Sequence, residues 1–113
     1  MKKTLFLFFT IIFLSGCINS PIPPANGNYD DLAQCLTENK AVMYGTEWCG
    51  HCQEQKSMFG SSFQYIDFVD CDQNRNDCQA AGIRGYPTWI INGKKYEGTQ
   101  ALTTLAGAVS CEI

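Results

Sequence analysis

Hydrophobic residues recur with helical or strand-like spacing from residue 29 to 113, and short polar or glycine-containing breaks separate these segments. Asn92-Gly93 lies between two of the predicted strands and is typical of a type I′ hairpin turn. In the first half of the domain the predicted elements are a helix capped by Asp30, a strand at 41–44, a helix that starts in Trp48–Cys52 and ends before Gly60, and a strand at 63–69. In the second half they are a helix at 77–81, strands at 87–91 and 95–97, and a helix from a Thr99 cap to Val109. This order predicts an α/β domain with a mixed central sheet and helices on both faces.

The chain begins with the pattern of an export signal. Lys2 and Lys3 precede an apolar run at 4–14, which is about half the length that a membrane-spanning helix needs. We therefore predict a signal peptide at 1–16, with an uncleaved N-terminal anchor as the alternative.

The residues after this run indicate a lipid anchor. Leu14-Ser15-Gly16-Cys17 resembles the lipobox of bacterial lipoproteins, which implies acylation of Cys17 and attachment of an exported, extracytoplasmic protein to a membrane surface. Residues 17–28 are rich in proline and polar residues and predict a tether, which leaves 29–113 as the folded domain. Ile18 is not the Asp that resembles an inner-membrane retention signal, which favours the outer membrane only if the source has one; which membrane carries the anchor stays open.

The composition indicates the redox compartment of the protein and argues against one class of partner. Seven cysteines in 113 residues indicate an oxidising environment. Without Lys2 and Lys3, six basic side chains remain beside eleven acidic ones, and no basic run is present. This balance argues against nucleic acid as a partner.

Two cysteines at the start of a predicted helix carry the candidate chemistry. The segment Trp48-Cys49-Gly50-His51-Cys52 places Cys49 at the helix N-terminus, where free backbone N–H groups and the helix dipole favour a thiolate. Cys52, one turn later, is the candidate resolving thiol of a disulfide exchange. His51 either adds a positive neighbour or is a solvated surface side chain.

Two segments carry a family resemblance. The run from Met43 to Cys52 resembles a thioredoxin active site, and 82–88 resembles the segment that presents the cis-proline of that fold, here Pro87. A trans-proline at a strand start is the alternative. The residues after Cys52 and the run 85–93 resemble more closely the thioredoxin-like domain fused to bacterial and plant homologues of vitamin K epoxide reductase.

The resemblance has implications for activity and partners. It implies exchange of disulfides with cysteine-containing proteins, without a cofactor or a metal, and with a separate integral membrane protein as redox partner. Tyr86 and Pro87 would bind an extended substrate segment, while Trp48, Gly50 and His51 would support the cysteines. Trp48 and Tyr86 are equally well explained as core residues, and Trp89 is better explained as core.

The residues around the cysteines favour one redox direction. Gly50-His51 is the pair found in protein disulfide isomerases, whose potential near −180 mV is above the roughly −270 mV of thioredoxin. This pair favours donation or isomerisation of disulfides over their reduction. Met43 stands where thioredoxin has a buried Asp, which leaves Glu47 or water to accept the proton of Cys52. A thiol reductase, as in cytochrome maturation, remains the alternative.

Four further cysteines are candidates for structural disulfides. Cys71 and Cys78 flank a short polar loop, and Cys35 in the first helix and Cys111 after the last helix would join the two termini. Of the three possible connectivities we favour 35–111 with 71–78. A relay role for 71–78 is the alternative.

Two other function classes fit some of these residues less well. Cys49, Cys52, Cys71 and Cys78 offer four thiolates for zinc, although six residues between the last two are a poor fit to a zinc knuckle. A non-catalytic peptide-binding module would not need Cys49 and Cys52.

Overall fold

The computed structural model describes residues 28–113 of the chain. The predicted signal peptide at 1–16, Cys17 and the predicted tether up to residue 27 lie outside the described residues. No helix in the described part has both the length and the apolar character needed to cross a membrane.

The described residues form helices and strands in the predicted order. In chain order the elements are α1 (Asp30–Glu38), β1 (Val42–Gly45), α2 (Gly50–Phe59), a 3-10 helix (Gly60–Tyr65), β2 (Asp67–Asp70), α3 (Arg75–Ala80), β3 (Thr88–Ile91), β4 (Lys94–Glu97) and α4 (Leu102–Ala108). The strands form one four-stranded sheet in the order β2-β1-β3-β4. Strand β1 runs parallel to β2 and antiparallel to β3, and β4 is antiparallel to β3. The predicted mixed α/β fold is confirmed.

The two central strands carry the largest buried side chains. Met43 in β1 lies opposite Trp89 in β3, and both are fully buried. Directly opposed residues of antiparallel strands share a face, so these two side chains belong to one core layer. The Trp89 ring packs 6.1 Å from the ring of Phe59 at the end of α2. Helices α1 and α4 add Leu32, Leu36 and Leu105 to the same core.

The predicted strand at 63–69 is wrong over its first half. Gly60, with φ of 57°, ends α2, and the chain continues as a 3-10 helix to Tyr65. The buried Ser62 fixes this path: its Oγ accepts a hydrogen bond from the Tyr29 N–H at 2.8 Å and donates to Asp30 Oδ1 at 2.6 Å. The aromatic residues that suggested a strand fill space between α2 and β2 instead, since the Phe63 ring contacts those of Phe59 and Phe68.

Three predicted helix starts also differ from the structure. Asp30 is not the cap of α1 but its first residue, after Tyr29 as the N-cap, and its carboxylate accepts a hydrogen bond from Ser62 instead. Helix α3 begins at Arg75, two residues before the predicted start. Helix α4 begins at Leu102 and not after a Thr99 cap, because the Thr99 hydroxyl donates to the carbonyl of His51 at 3.2 Å. Thr99 thus joins the segment before α4 to the start of α2.

Two disulfides hold the edges of the domain. Cys35 in α1 is bonded to Cys111 beyond α4, across 76 positions of sequence. Cys71, just after β2, is bonded to Cys78 in α3, across 7 positions. These are the two pairs that the sequence favours, and they leave Cys49 and Cys52 as the free cysteines of the described residues.

We expect the two disulfides to contribute unequally to stability. In the chain-entropy description, closing the long loop stabilises the fold by about 4.5 kcal/mol and closing the short loop by about 2.5 kcal/mol. Replacing Cys35 and Cys111 together by Ala should therefore lower the free energy of unfolding in urea more than the same change at Cys71 and Cys78. An equal or reversed order would contradict the loop-closure explanation.

Candidate dithiol site

The reactive end of the site is the first turn of α2. Cys49 is the N-cap of this helix, with extended backbone angles, and its Sγ accepts a hydrogen bond from the Cys52 N–H at 3.2 Å. The first N–H groups of a helix have no partner within the helix, and they favour negative charge near them. The sulfur of Cys49 is thus the side-chain acceptor at the positive end of α2.

The second cysteine has a different environment. Cys52 is fully buried. Burial raises the pKa of its thiol to about 12, helped by the hydrogen bond with Cys49, whereas the Thr46 backbone and the charge of Lys56 act in the opposite direction. Cys52 is therefore a thiol at neutral pH in the reduced protein.

Gly45 makes room for the buried sulfur. A Cβ atom at this position would lie 2.7 Å from Cys52 Sγ and 3.3 Å from the ring of Phe68. No other residue type fits without a shift of the surrounding atoms. The sequence shows Gly45 only as the end of a strand, so this requirement was missed.

The segment around Pro87 faces the first cysteine. The Tyr86–Pro87 peptide bond is cis. Cys49 Sγ lies 3.5 Å from the carbonyl oxygen of Tyr86, to which the thiol donates. The Thr88 hydroxyl holds the turn by donating to the Gly85 carbonyl at 2.9 Å. The structure thus brings Tyr86 and Pro87 to the dithiol, as the resemblance implies.

Two aromatic side chains stand beside the sulfur. Trp48 is 68% exposed and Tyr86 is 36% exposed. Their rings meet edge to face with centroids 6.1 Å apart. The Trp48 Nε1–H donates to Asp72 Oδ2 at 2.7 Å, which fixes the indole. Trp89, in contrast, is fully buried and belongs to the core.

The two residues between the cysteines are on the surface. His51 and Gly50 are both exposed. The partner of the imidazole is on its own helix, with Nδ1 3.4 Å from Glu54 Oε2. A Cβ at Gly50 would meet no atom within 4 Å, so this glycine leaves open space beside Cys49.

A buried glutamine anchors the helix one turn after Cys52. The Oε1 atom of Gln55 accepts from Trp89 Nε1 at 3.1 Å and from the Gln100 N–H at 2.7 Å. Its Nε2 donates to the Gln100 carbonyl at 3.0 Å. A buried amide with these partners ties α2 to β3 and to the segment before α4. The only sequence signal was a polar residue on the helix face that also carries Cys52 and Phe59.

The other cysteine pair near the site is not available for metal binding. Cys71 and Cys78 are joined to each other, so the four thiolates of the zinc alternative are not present together. The Cys71 N–H donates to the Gly45 carbonyl at 2.8 Å, which links this disulfide to the end of β1.

Comparisons with known proteins agree with this geometry. A family model described as Thioredoxin matches residues 24–110. The thiol-disulfide oxidoreductase LTO1 of Arabidopsis thaliana is 40% identical over 84 residues, which are 66% of this chain and 22% of that protein. The protein disulfide isomerase-like 2-2 of Oryza sativa subsp. japonica is 36% identical over 85 residues, or 63% of this chain and 23% of that protein. The chain thus spans under a quarter of the length of these curated relatives.

Solved structures match the chain more weakly. The thioredoxin NaTrxh from Nicotiana alata superposes with a TM-score of 0.49 at 20% identity, over 66% of this chain and 78% of that one.

We expect Gly45→Ala to destabilise the reduced protein. The added methyl group would meet the Cys52 sulfur, and overpacking of this kind costs about 1–3 kcal/mol. Urea unfolding of the reduced protein measures this loss. Gly107→Ala is the control, because a Cβ there meets nothing within 4 Å and alanine is the better helix former. Equal stability of the two variants would show that the contact with Cys52 does not matter.

Proposed function

The chain belongs to the thioredoxin family, and from this membership and the geometry of its free cysteine pair we propose that it is a protein thiol-disulfide oxidoreductase. The observation that carries the proposal is the asymmetry between the two thiols. Cys49, of which 8% is exposed, lies at a helix N-terminus beside Tyr86, and the fully buried Cys52 lies one turn further along the same helix. Disulfide exchange needs this combination of an attacking and a resolving thiol.

The proposed reaction passes through a mixed disulfide. When the oxidised protein acts as donor, a substrate thiolate attacks Cys49, the Cys49–Cys52 bond breaks, and Cys52 leaves with the electron pair. A second substrate thiolate then displaces Cys49, so that the substrate gains a disulfide and the protein gains two thiols. The reverse sequence reduces a substrate disulfide, with Cys49 as the nucleophile and Cys52 as the resolving thiol.

Residues around the dithiol are proposed to hold the substrate protein. The backbone of Tyr86 and Pro87 faces Cys49 and suits pairing with an extended segment that carries the reacting cysteine. Trp48 and the Tyr86 ring give this surface apolar contact area. Gly50 leaves the approach to the sulfur open.

We assign the direction to disulfide donation or isomerisation. The Gly50-His51 pair is the one found in protein disulfide isomerases, and several relatives carry that name. The core position of Met43 supports the same direction, since no carboxylate stands there to take the proton of Cys52 in fast reductase turnover. A thiol reductase and a non-catalytic peptide-binding module are the competing functions, and the experiments below separate them.

We further propose that the protein works outside the cytoplasm on a membrane surface. The proposal combines a signal peptide at 1–16, acylation of Cys17, a tether at 17–28 and a folded domain at 29–113. The two disulfides of the described residues support an oxidising compartment. The resemblance to domains fused to vitamin K epoxide reductase homologues supports a separate integral membrane protein of that type as redox partner.

Redox equilibration and trapping test the activity. The dithiol should equilibrate with glutathione at a potential above about −250 mV, which is more oxidising than that of thioredoxin. His51→Pro should lower the potential if the imidazole favours the reduced form. Cys52→Ser should accumulate a mixed disulfide with an unfolded protein whose cysteines have first been converted to disulfides with a small thiol. Cys49→Ser should not form this mixed disulfide.

Each rival function has its own outcome in these measurements. A potential below about −250 mV together with rapid reduction of insulin would assign the protein as a reductase. Absence of any mixed disulfide with Cys52→Ser would leave only the binding module.

The proposed anchor predicts a change in location for one substitution. Cys17→Ser removes the acylated sulfur, so we expect the protein to move from the membrane fraction to the soluble extracytoplasmic fraction, and metabolic labelling with a fatty acid should be lost. Cys52→Ser, at a free cysteine of the folded domain, is the control and should keep the label. An unlabelled parent protein would contradict the lipid anchor.

A further inference from the structure

A lysine in the second turn of α2 is held in one place by two partners. Lys56 Nζ lies 3.1 Å from Glu47 Oε2 and 4.2 Å from the ring centroid of Phe68. The Lys56 side chain is only 22% exposed, whereas most surface lysines extend into water. An ion pair and a cation–π contact together define the position of the ammonium group.

The same partners place this lysine near the resolving cysteine. Lys56 follows Cys52 by four positions, so the two residues lie on one face of the helix. The Phe68 ring that supports the ammonium group and the Cys52 sulfur both contact the position of a Cβ at Gly45, at 3.3 and 2.7 Å. The charge of Lys56 acts to lower the pKa of Cys52, against the larger opposite effect of burial.

Few other charged groups act on the buried sulfur. At the N-cap of α2, the Cys49 thiol raises the pKa of Cys52. Within α2, Lys56 lowers it. From the segment before α2, the Thr46 backbone lowers this pKa, and Glu47 acts through its pair with Lys56. The strand residues that approach the sulfur, Gly45 and Phe68, carry no charge. Lys56 is thus the cation that acts on Cys52 in the described part of the chain.

We propose that Lys56, held by Glu47 and the Phe68 ring, stabilises the negative charge that forms on Cys52 during disulfide exchange. The inference rests on the proposed function, and it assigns a role to a residue other than the two cysteines and the two residues between them. Lys56 acts through Cys52 and is therefore a positioning residue. In resolution of a mixed disulfide, Cys52 loses its proton to water and attacks Cys49 Sγ, and the substrate sulfur leaves as a thiolate. In disulfide donation, Cys52 is itself the leaving thiolate.

The two steps can be observed in one reaction with 5,5′-dithiobis(2-nitrobenzoate). Attack of Cys49 on this disulfide releases one coloured thiolate, and attack of Cys52 on the resulting mixed disulfide releases the second. The first phase is bimolecular and the second is intramolecular, so only the first depends on the concentration of the reagent. Stopped-flow absorbance of the reduced protein separates the two phases.

We expect Lys56→Met to slow the second phase by about threefold at pH 7. Without the Lys56 charge the pKa of Cys52 rises and its thiolate fraction falls, and the greater nucleophilicity of a more basic sulfur offsets only part of this loss. The second phase should rise with pH in both proteins and stay slower in the variant, while the first phase is unchanged. A purely structural effect would slow the first phase as well, and Lys56→Arg would not reverse it.

Three further variants are the controls. Lys56→Arg keeps the charge and should restore most of the rate, and Lys56→Gln is a second neutral replacement should Lys56→Met not fold. Lys94→Met removes a lysine that also lies over an aromatic ring, that of Tyr96, at the end of the sheet away from the cysteines. It should leave the second phase unchanged.

The outcomes distinguish this inference from the proposed function. A parent protein without a second phase would contradict the oxidoreductase assignment itself. A normal parent with an unchanged second phase in both neutral variants would contradict only the role of Lys56. Equal slowing of both phases in the neutral variants would also contradict it, since that result indicates general distortion of the site.

Discussion

Helix α2 begins directly after its N-cap Cys49, and the rest of the site depends on that position. Because the helix starts there, the Cys52 N–H points to the Cys49 sulfur, and the side chain of Cys52 turns inward one turn later. The two thiols of one motif therefore have different surroundings: Cys49 keeps 8% of its surface exposed at the helix N-terminus beside Tyr86, and Cys52 has none. Moving the helix start by a residue would exchange or remove this difference.

The surrounding fold keeps the first turns of α2 in place from several directions. Gln55 connects the helix to Trp89 and Gln100, and Thr99 donates to the His51 carbonyl. These contacts join α2 to the second half of the chain, which also supplies the Tyr86–Pro87 segment. The glycine at the end of β1 leaves room for the Cys52 sulfur. The site is thus assembled from both halves of a small domain whose outer parts are joined by disulfides.

Local sequence patterns predicted the parts of this structure that have local causes. The bounds of α2, the Asn92-Gly93 hairpin and the order of elements follow from capping, turn chemistry and hydrophobic period. The prediction of a strand at 63–69 was wrong over its first half because Phe63 packs against aromatic rings of other elements. The prediction of Thr99 as a cap was wrong because its hydroxyl donates to the carbonyl of His51 in another helix. The contacts of Gly45, Gln55 and Lys56 could not be predicted, since each depends on a partner that only the folded chain brings near.

The central claim is that the start of α2 makes Cys49 reactive while Cys52 is protected. Brief alkylation of the reduced, folded protein with iodoacetamide at pH 7, followed by peptide mass spectrometry, measures the two cysteines in one sample. We predict modification of Cys49 well before Cys52, and loss of this preference once the protein is unfolded in urea. Equal labelling of both cysteines in the folded protein, or faster labelling of Cys52, would contradict the account.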